Sequence, residues 1–323
     1  MTRRFDVTAL GELLIDFTDS GLSPAGMRLF ERNPGGAPAN VLAALARFGH
    51  STAFLGKVGA DMHGDFLRDT LMTAGIDVRG LISDPEVFTT LAFVALDSGG
   101  ERSFSFARKP GADTCLRQEE LDHQRLRDTR VLHIGSLSMT QEPVRSATVA
   151  AVHMARDAGA VISYDPNYRA SLWPSREAAE EQMRRLALQA DLIKLSDQET
   201  ELLTGACDPR QAALALRRQG AACVAVTLGP EGALVAAGDG VVHVPGFAAE
   251  AVDTTGAGDA FWGGFLHRFL TLNVHPAELT ADQAADCARW GNAVAACCIR
   301  KRGAIPAMPT PEEVERTLES KHN

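Results

Sequence analysis

From about residue 130 the chain alternates between short apolar runs and longer amphipathic stretches. Val131 to Gly135 reads as a strand, 143–158 as a helix, Val161 to Asp165 as a strand and 176–190 as a helix. Leu192 to Leu195 then predicts a strand, 197–204 and 209–219 predict helices, and Cys223 to Thr227 predicts another strand. Strands separated by helices imply βαβ units, and so a parallel sheet with helices on both faces. Ligands of such sheets collect beyond the strand C-terminal ends, which here carry Asp165, Asn167, Lys194 and Thr227.

The first third has a different rhythm. Segments at 5–17, 28–32, 53–58, 88–96 and 101–107 alternate apolar and polar residues, as half-buried strands do. Asp97-Ser-Gly-Gly100 predicts a hairpin turn between the last two, and the alanine-rich 38–48 predicts the single helix of this third. Some of these strands, from about 11–33 and 86–110, are expected to stand off the main body as a small sheet, a lid over a site. There are no internal repeats, low-complexity tracts or linkers, so 1–323 reads as a single domain with an α/β core.

Composition narrows the class. The 323 residues are 45% hydrophobic, ample for a large core, and the formal net charge is −9. That charge argues against nucleic acid or an anionic membrane surface as a partner, since both require a basic face. Cys115, Cys207, Cys223, Cys287, Cys297 and Cys298 show no Cys-x-x-Cys spacing and predict free thiols, which suits a reducing cytoplasm. The apolar start is interrupted by Asp6, Glu12 and Asp16, as no signal peptide or membrane span would be, so it reads as a first strand of a soluble protein.

The most informative run is Asp253-Thr-Thr-Gly-Ala-Gly-Asp-Ala-Phe-Trp-Gly-Gly264. Glycines at a loop-to-helix junction let free N–H groups converge where the helix dipole is positive, which attracts an anion such as phosphate. A carboxylate at the same place, Asp259, suits the removal of a proton, and the pairing suggests phosphoryl transfer to a hydroxyl. The same residues would also serve as a tight turn with an N-capping Asp. A dinucleotide fingerprint fits less well, because its third glycine would fall at Phe261.

Other candidates lie at turns. Gly35-Gly-Ala-Pro-Ala-Asn40 opens the alanine helix, with Gly35 and Gly36 allowing close backbone approach and Asn40 offering a donor and an acceptor to a polyol, or else forming an ordinary glycine turn. Asp16 closes the first apolar run and can accept two sugar hydroxyls or simply be a solvated strand end. Arg169, in Asp165-Pro-Asn-Tyr-Arg169, can grip hydroxyls or a carboxylate. Lys194 can neutralise phosphate and Glu199 can orient water on Mg²⁺, although both also read as surface charge. Thr227-Leu-Gly-Pro-Glu-Gly232 is the weakest signal alone. The nine histidines show no zinc spacing, and neither a Gly-x-Ser-x-Gly elbow nor a Gly-x-x-x-x-Gly-Lys-Ser/Thr phosphate loop is present.

Together these motifs resemble the ribokinase-like (PfkB) sugar kinases along nearly the whole chain, with both signatures present in Gly35 to Gly59 and Asp253 to Phe265. Ser163 to Pro174, Ala190 to Ser196, Thr227 to Gly229 and Lys301 to Pro306 are most similar to fructokinases. The resemblance implies a ribokinase-like α/β fold: a mostly parallel central sheet flanked by helices on both faces, with a small β-sheet lid that pairs two protomers. It implies ATP and Mg²⁺, Asp259 as general base, and the Gly256-Ala257-Gly258 backbone as anion hole. Asp16, Gly35, Gly36, Asn40, Arg108 and Arg169 would serve the sugar. Lys194, Glu199, Thr227, Gly229, Gly232 and Asn292 would lie around ATP and its metal. Asp253, Thr255, Cys298 and Gly303 match the positions that hold an activating K⁺ in many relatives. One departure is Ser196-Asp-Gln-Glu199, where many relatives have Asn-x-x-Glu, so only Glu199 carries over.

The expected reaction is transfer of the γ-phosphoryl group of ATP to a primary hydroxyl of a ketose, fructose giving fructose 6-phosphate. The nearest rival is 2-keto-3-deoxygluconate kinase, whose acid sugar needs a cation such as Arg108 or Arg169. A non-catalytic sugar or nucleotide sensor has no need of Asp259, and a nicotinamide dehydrogenase would bind NAD instead of ATP.

Overall fold

The computed structural model describes residues 4–96 and 102–320. Among them, the main sheet has nine strands. In spatial order these are β13 (Gly240–Val244), β12 (Ala233–Ala237), β11 (Cys223–Thr227), β10 (Leu192–Ser196), β9 (Val161–Asp165), β8 (Thr129–Gly135), β1 (Phe5–Leu10), β4 (Thr52–Gly59) and β5 (Asp77–Asp84). Pairing is parallel from β11 through to β5 and antiparallel for β11–β12 and β12–β13. A second sheet has the order β3 (Arg28–Gly35), β2 (Leu14–Leu22), β6 (Leu91–Leu96), β7 (Arg102–Ala107).

Ten helices complete the described chain: α1 (Ala37–Arg47), α2 (Met62–Thr73), α3 (His123–Arg127), α4 (Val144–Asp157), α5 (Arg176–Ala187), α6 (Thr200–Thr204), α7 (Pro209–Arg218), α8 (Ala257–Leu272), α9 (Ala281–Cys298) and α10 (Pro311–Glu319). Alternate residues of the parallel strands feed two apolar cores. Val7 and Ala9 pack with α1, α8 and α9, while Leu10, Leu132 and Ile134 pack with α4 and α5. Helices therefore cover both faces of the sheet, as continuous apolar strands require. No described helix is long and apolar enough to cross a membrane.

Glycines in the late motif set how closely three helices meet. A Cβ on Gly263 would lie 2.5 Å from the Cβ of Ala44 in α1, and one on Gly264 would lie 2.6 Å from Val294 Cγ2 in α9. Their absence lets α8 sit tightly between its neighbours, which brings its N-terminus against the start of α1.

The first third departs from its sequence reading in four ways, one being that β5, at the edge of the main sheet, falls in none of the segments read as strands. The segment 5–17 is two strands, because the chain leaves the main sheet at Gly11-Glu12-Leu13 and continues as β2 in the small one. Strand β4 is buried along its whole length inside the main sheet. Its polar residue, Lys57, is tolerated there because Asp84 and Glu120 pair with it at 3.3 and 2.6 Å. Helix α2 makes a second helix in this third. Its buried stripe of Gly64, Leu67 and Leu71 and its cap, Asp61 accepting from His63 and Gly64 N–H, were present in the sequence as signals. The turn expected at Asp97 to Gly100 lies outside the described residues.

Candidate active site

Strand β2 places Asp16 opposite Asn33 of β3. Gly35 makes room for that carboxylate, since a Cβ there would meet Asp16 Oδ2 at 2.2 Å. Gly36 adopts φ +121° and passes so close to the Glu12 carbonyl that a Cβ would lie 2.4 Å from it. Helix α1 then begins, its first N–H donated by Ala37 to Glu12 Oε1 at 2.9 Å. Asn40, in the first turn, donates from Nδ2 to Asp259 Oδ2 at 2.8 Å, joining the early and late motifs across 219 residues of sequence.

Helix α8 starts at Gly256, held in the left-handed region with φ +75° and supplying no side-chain cap. A Cβ there would lie 2.6 Å from Ala304 Cβ, so the loop ending near Pro306 closes against this turn. The first-turn N–H groups lack intrahelical acceptors by construction, which makes the helix start electropositive. Lys194, from the end of β10, adds a full charge beside it: a Cβ on Gly258 would be 2.9 Å from Lys194 Nζ. The same ammonium donates to Asp165 Oδ2, at the end of β9, at 2.8 Å.

Asp259 is buried, and its carboxyl is pushed up to about 6, first by loss of water and then by the negative charge of Asp165. Asn40, Lys194 and Arg169 oppose that rise. Burial works to lower the Lys194 pKa, but Asp165 and Glu199 outweigh it and leave it raised, so the ammonium stays charged.

Two cavities meet at this point. The first, about 380 Å³, is walled by the small sheet, the start of α1 and the loops at the strand ends. It takes in Asp16, Gly36, Asn40, Arg169, Lys194, Asp253, Thr255, Gly256, Ala257, Gly258, Asp259 and Gly303. The second, about 1050 Å³, is more apolar in its lining and takes in Thr227, Gly229, Gly232 and Asn292. Thr254, Ala257 and Gly258 line both, so the two spaces adjoin at the N-terminus of α8.

Four expected residues lie off both walls. Arg108 is committed inside the protein, its guanidinium bonded to Asp113, Thr140 Oγ1 and the Leu137 carbonyl, which leaves it no arm for a ligand. Gly35 sits behind Asp16 as a spacer. Glu199 caps its own turn, accepting from Ser196 N and Oγ through Oε2, and holds the 165–169 loop by accepting from Tyr168 N at 2.7 Å. The Cys298 thiol is buried in α9 and pushed up to about 12 by burial, while its carbonyl accepts from Lys301 N–H at 3.1 Å. Asp253 gathers that loop: Oδ1 accepts from Thr255 N and Oγ1, and Oδ2 from Gly303 N at 3.0 Å.

Sequence reading missed Glu12, Thr18, Asp19, Glu31, Asn33 and Arg302 on the first cavity. Glu12 had a signal, an acidic residue directly after Gly11 in an otherwise apolar run. Thr18, Asp19, Glu31 and Asn33 lie on β2 and β3, and only the placement of the small sheet reveals which way they point, while Arg302 lies in the loop after α9.

The chain is similar to known sugar kinases over nearly its whole length. Fructokinase-1 of Oryza sativa subsp. japonica is 42% identical over 318 residues, covering 97% of this chain and 98% of the rice protein. The crystal structure of fructokinase with bound ATP from Xylella fastidiosa superposes with a TM-score of 0.90 at 34% identity, over 98% of this chain and 99% of that one. A double mutant of Vibrio cholerae O395 fructokinase, solved with fructose, ADP and potassium ion, gives 0.88 at 33% identity, over 99% and 100%. The profile of the pfkB family carbohydrate kinases matches residues 4–311, and the chain belongs to that family.

Proposed function

We propose that this chain is an ATP-dependent fructokinase, phosphorylating the C6 hydroxyl of fructose. The observation that carries the reading is the junction of the two cavities at Gly258, where a buried carboxylate, a lysine ammonium and an uncapped helix start converge. A phosphoryl group delivered from the larger cavity and a hydroxyl presented in the smaller one would meet there. Relatives that hold ATP, or fructose and ADP, support the two ligands.

In this reading Asp16, Gly36, Asn40 and Arg169 hold the sugar, and Asp259 accepts the proton of the attacking hydroxyl as its oxygen bonds to phosphorus and the bond to ADP breaks. A base poised at about 6 is ionised at neutral pH yet close enough to it to accept a proton effectively. The N–H groups of Gly256, Ala257 and Gly258, with Lys194, neutralise charge on the transferred group. Thr227, Gly229, Gly232 and Asn292 flank the nucleotide.

Mg²⁺, when bound, supplies further neutralisation of the phosphates. Glu199 and Asp165 are already engaged by Ser196, Tyr168 and Lys194, so the phosphates and water would hold it directly, with Glu199 acting at most through water. The carboxylate of Asp253 and the carbonyls around Thr255, Cys298 and Gly303 are hard oxygen donors that suit K⁺.

A neutral sugar suits the first cavity better than an acid one. Glu12, Asp16, Asp19 and Glu31 line it, Arg302 faces Glu31 at 3.7 Å, and Lys194 is paired with Asp165. Of the two cations an acid sugar would have used, Arg108 is spent on Asp113, while Arg169 lines the cavity and donates to the Tyr168 carbonyl at 2.9 Å. The six unpaired cysteines support a reducing cytoplasm. The small sheet is read as a lid over the sugar, with a second copy of the chain as its partner.

The test is ADP release with ATP, Mg²⁺ and K⁺ across fructose, 2-keto-3-deoxygluconate, ribose, glucose and adenosine. Fructose should give the highest kcat/KM, and Asp259→Asn should lower kcat by about a hundredfold or more. Preference for the acid sugar would overturn the substrate, and near-normal turnover by the mutant would remove Asp259 from its role.

A further inference from the structure

Glu12 has been given no contact with the sugar, yet it is built into the first cavity. It is 3% exposed and lines the wall between the small sheet and α1. Its Oε1 is fixed by the Ala37 N–H at 2.9 Å. Its Oε2 is buried and has no hydrogen-bond partner among the described residues. The nearby cation Arg108 does not supply one, because its guanidinium is taken by Asp113, Thr140 and Leu137. On the same cavity Asn40 Oδ1 is also buried and unpartnered, its Nδ2 being given to Asp259.

A buried oxygen without a partner is costly, so two of them on one wall call for a ligand that brings hydrogen-bond donors. Hydroxyl groups do so. A carboxylate or phosphate at this wall would bring only further acceptors and more negative charge. We propose that Glu12 is a specificity-determining residue of the sugar subsite: Oε1 anchors the start of α1 while Oε2 hydrogen-bonds one hydroxyl of the bound ketose. The inference deepens the fructose reading and rests on it.

Burial also pushes the Glu12 carboxyl up to about 7. Near neutral pH it therefore exists in both forms, and each can pair with a hydroxyl, since the neutral acid both donates and accepts. The ionised form repels an anionic ligand in so dry a place. This gives the wall a reason to reject acid sugars that does not depend on Asp16.

Assayed about one unit above pH 7, where the carboxylate predominates, Glu12→Gln separates the anchoring role from the sugar contact, because the amide oxygen can still accept from Ala37 N–H while the acceptor Oε2 becomes an NH₂ donor. Steady-state kinetics on fructose and on its 1-, 3- and 4-deoxy analogues would be measured alongside ATP KM and the melting temperature. The expected result is an unchanged melting temperature and ATP KM, with fructose KM raised about tenfold, the worth of one such hydrogen bond. For the one analogue that lacks the hydroxyl Glu12 meets, wild type and variant should have the same KM.

An unchanged fructose KM would overturn the proposal and leave Glu12 as an anchor of α1 only. An equal KM rise on fructose and every deoxy analogue would overturn it as well. If Glu12→Gln does not fold, Glu12→Asp, which keeps the charge but withdraws the oxygen, carries the same comparison. Failure of the fructose reading shows separately, as a wild-type preference for another sugar, and the Glu12 comparison then runs on that sugar's deoxy series.

Discussion

At the scale of the residue, Asp259 sets two expectations with opposite signs. As a base it must be ionised, so kcat/KM should fall as pH drops through about 6, the value to which burial and Asp165 raise it. A pH profile with no acid limb in that region would count against the assignment. Stability runs the other way. A carboxyl whose folded pKa lies above its ordinary 3.8 holds its proton more firmly when folded, so it favours the fold at low pH and loses that contribution as pH rises from 3.8 through about 6. Asp259→Asn removes this cost at neutral pH, about 3 kcal/mol at most. Its melting temperature should exceed that of wild type near neutrality and match it below pH ~4, where both side chains are uncharged. Calorimetry at the two pH values checks the crossover. A mutant slower in turnover yet harder to melt is the mark of a side chain kept for chemistry at the expense of stability.

At the scale of the element, α8 shows how one run of sequence serves chemistry at one end and packing at the other. Gly256 and Gly258 lie at the cavities, whereas Gly263 and Gly264 admit α1 and α9. Gly263→Ala would ordinarily favour a helix by up to about 1 kcal/mol. Here the added methyl would lie 2.5 Å from Ala44 Cβ and 3.3 Å from the Val41 carbonyl, so overpacking wins. The expected net loss is about 1–3 kcal/mol in denaturant unfolding, with a fall in kcat from displacement of Asn40 relative to Asp259. A stabilised variant would show that α1 can yield. The same elements show what pattern alone conveys. Strands β8 to β11 were legible because buried runs bounded by helices have few alternative readings. Strand β4 was legible as a strand at 53–58 but not as a fully buried one, because Lys57 makes its pattern look half-exposed, and the carboxylates that neutralise it come from 84 and 120.

At the scale of the whole molecule, the small sheet is inverted relative to ordinary surface sheets. Its polar side chains, Asp16, Thr18, Glu31 and Asn33, line the cavity. Leu14, Val94 and Phe106 line it too, but three large aromatic side chains of the sheet do not: Phe17 stacks on Phe93 at 5.2 Å, and Phe30 meets Phe93 edge-on at 6.0 Å. Phe30 is 44% exposed and Phe93 37%, with Leu22, Met27 and Leu29 exposed as well. An apolar patch of this kind marks an interaction surface, and a second copy offering the same patch would be complementary to it. Light scattering should give a dimer mass for wild type and a monomer mass for the double substitution Phe30→Ser, Phe93→Ser. A wild-type monomer at assay concentration would sink the pairing.

The sequence by itself determined the parallel α/β core, the glycine-to-helix turn at Gly256 and the carboxylate beside it, because each depends on local periodicity or on residues adjacent in the chain. It also carried Asp16 and Asn40 as candidates for a polyol. The tertiary structure alone decided which candidates share a wall. It turned Arg108 inward to Asp113 and closed Glu199 on its own turn, since an ion pair or a cap depends on partners that sequence spacing does not name. It also joined Asn40 to Asp259 and gave Glu12 an oxygen without a partner, features that arise only when segments distant in sequence are packed together and water is excluded between them.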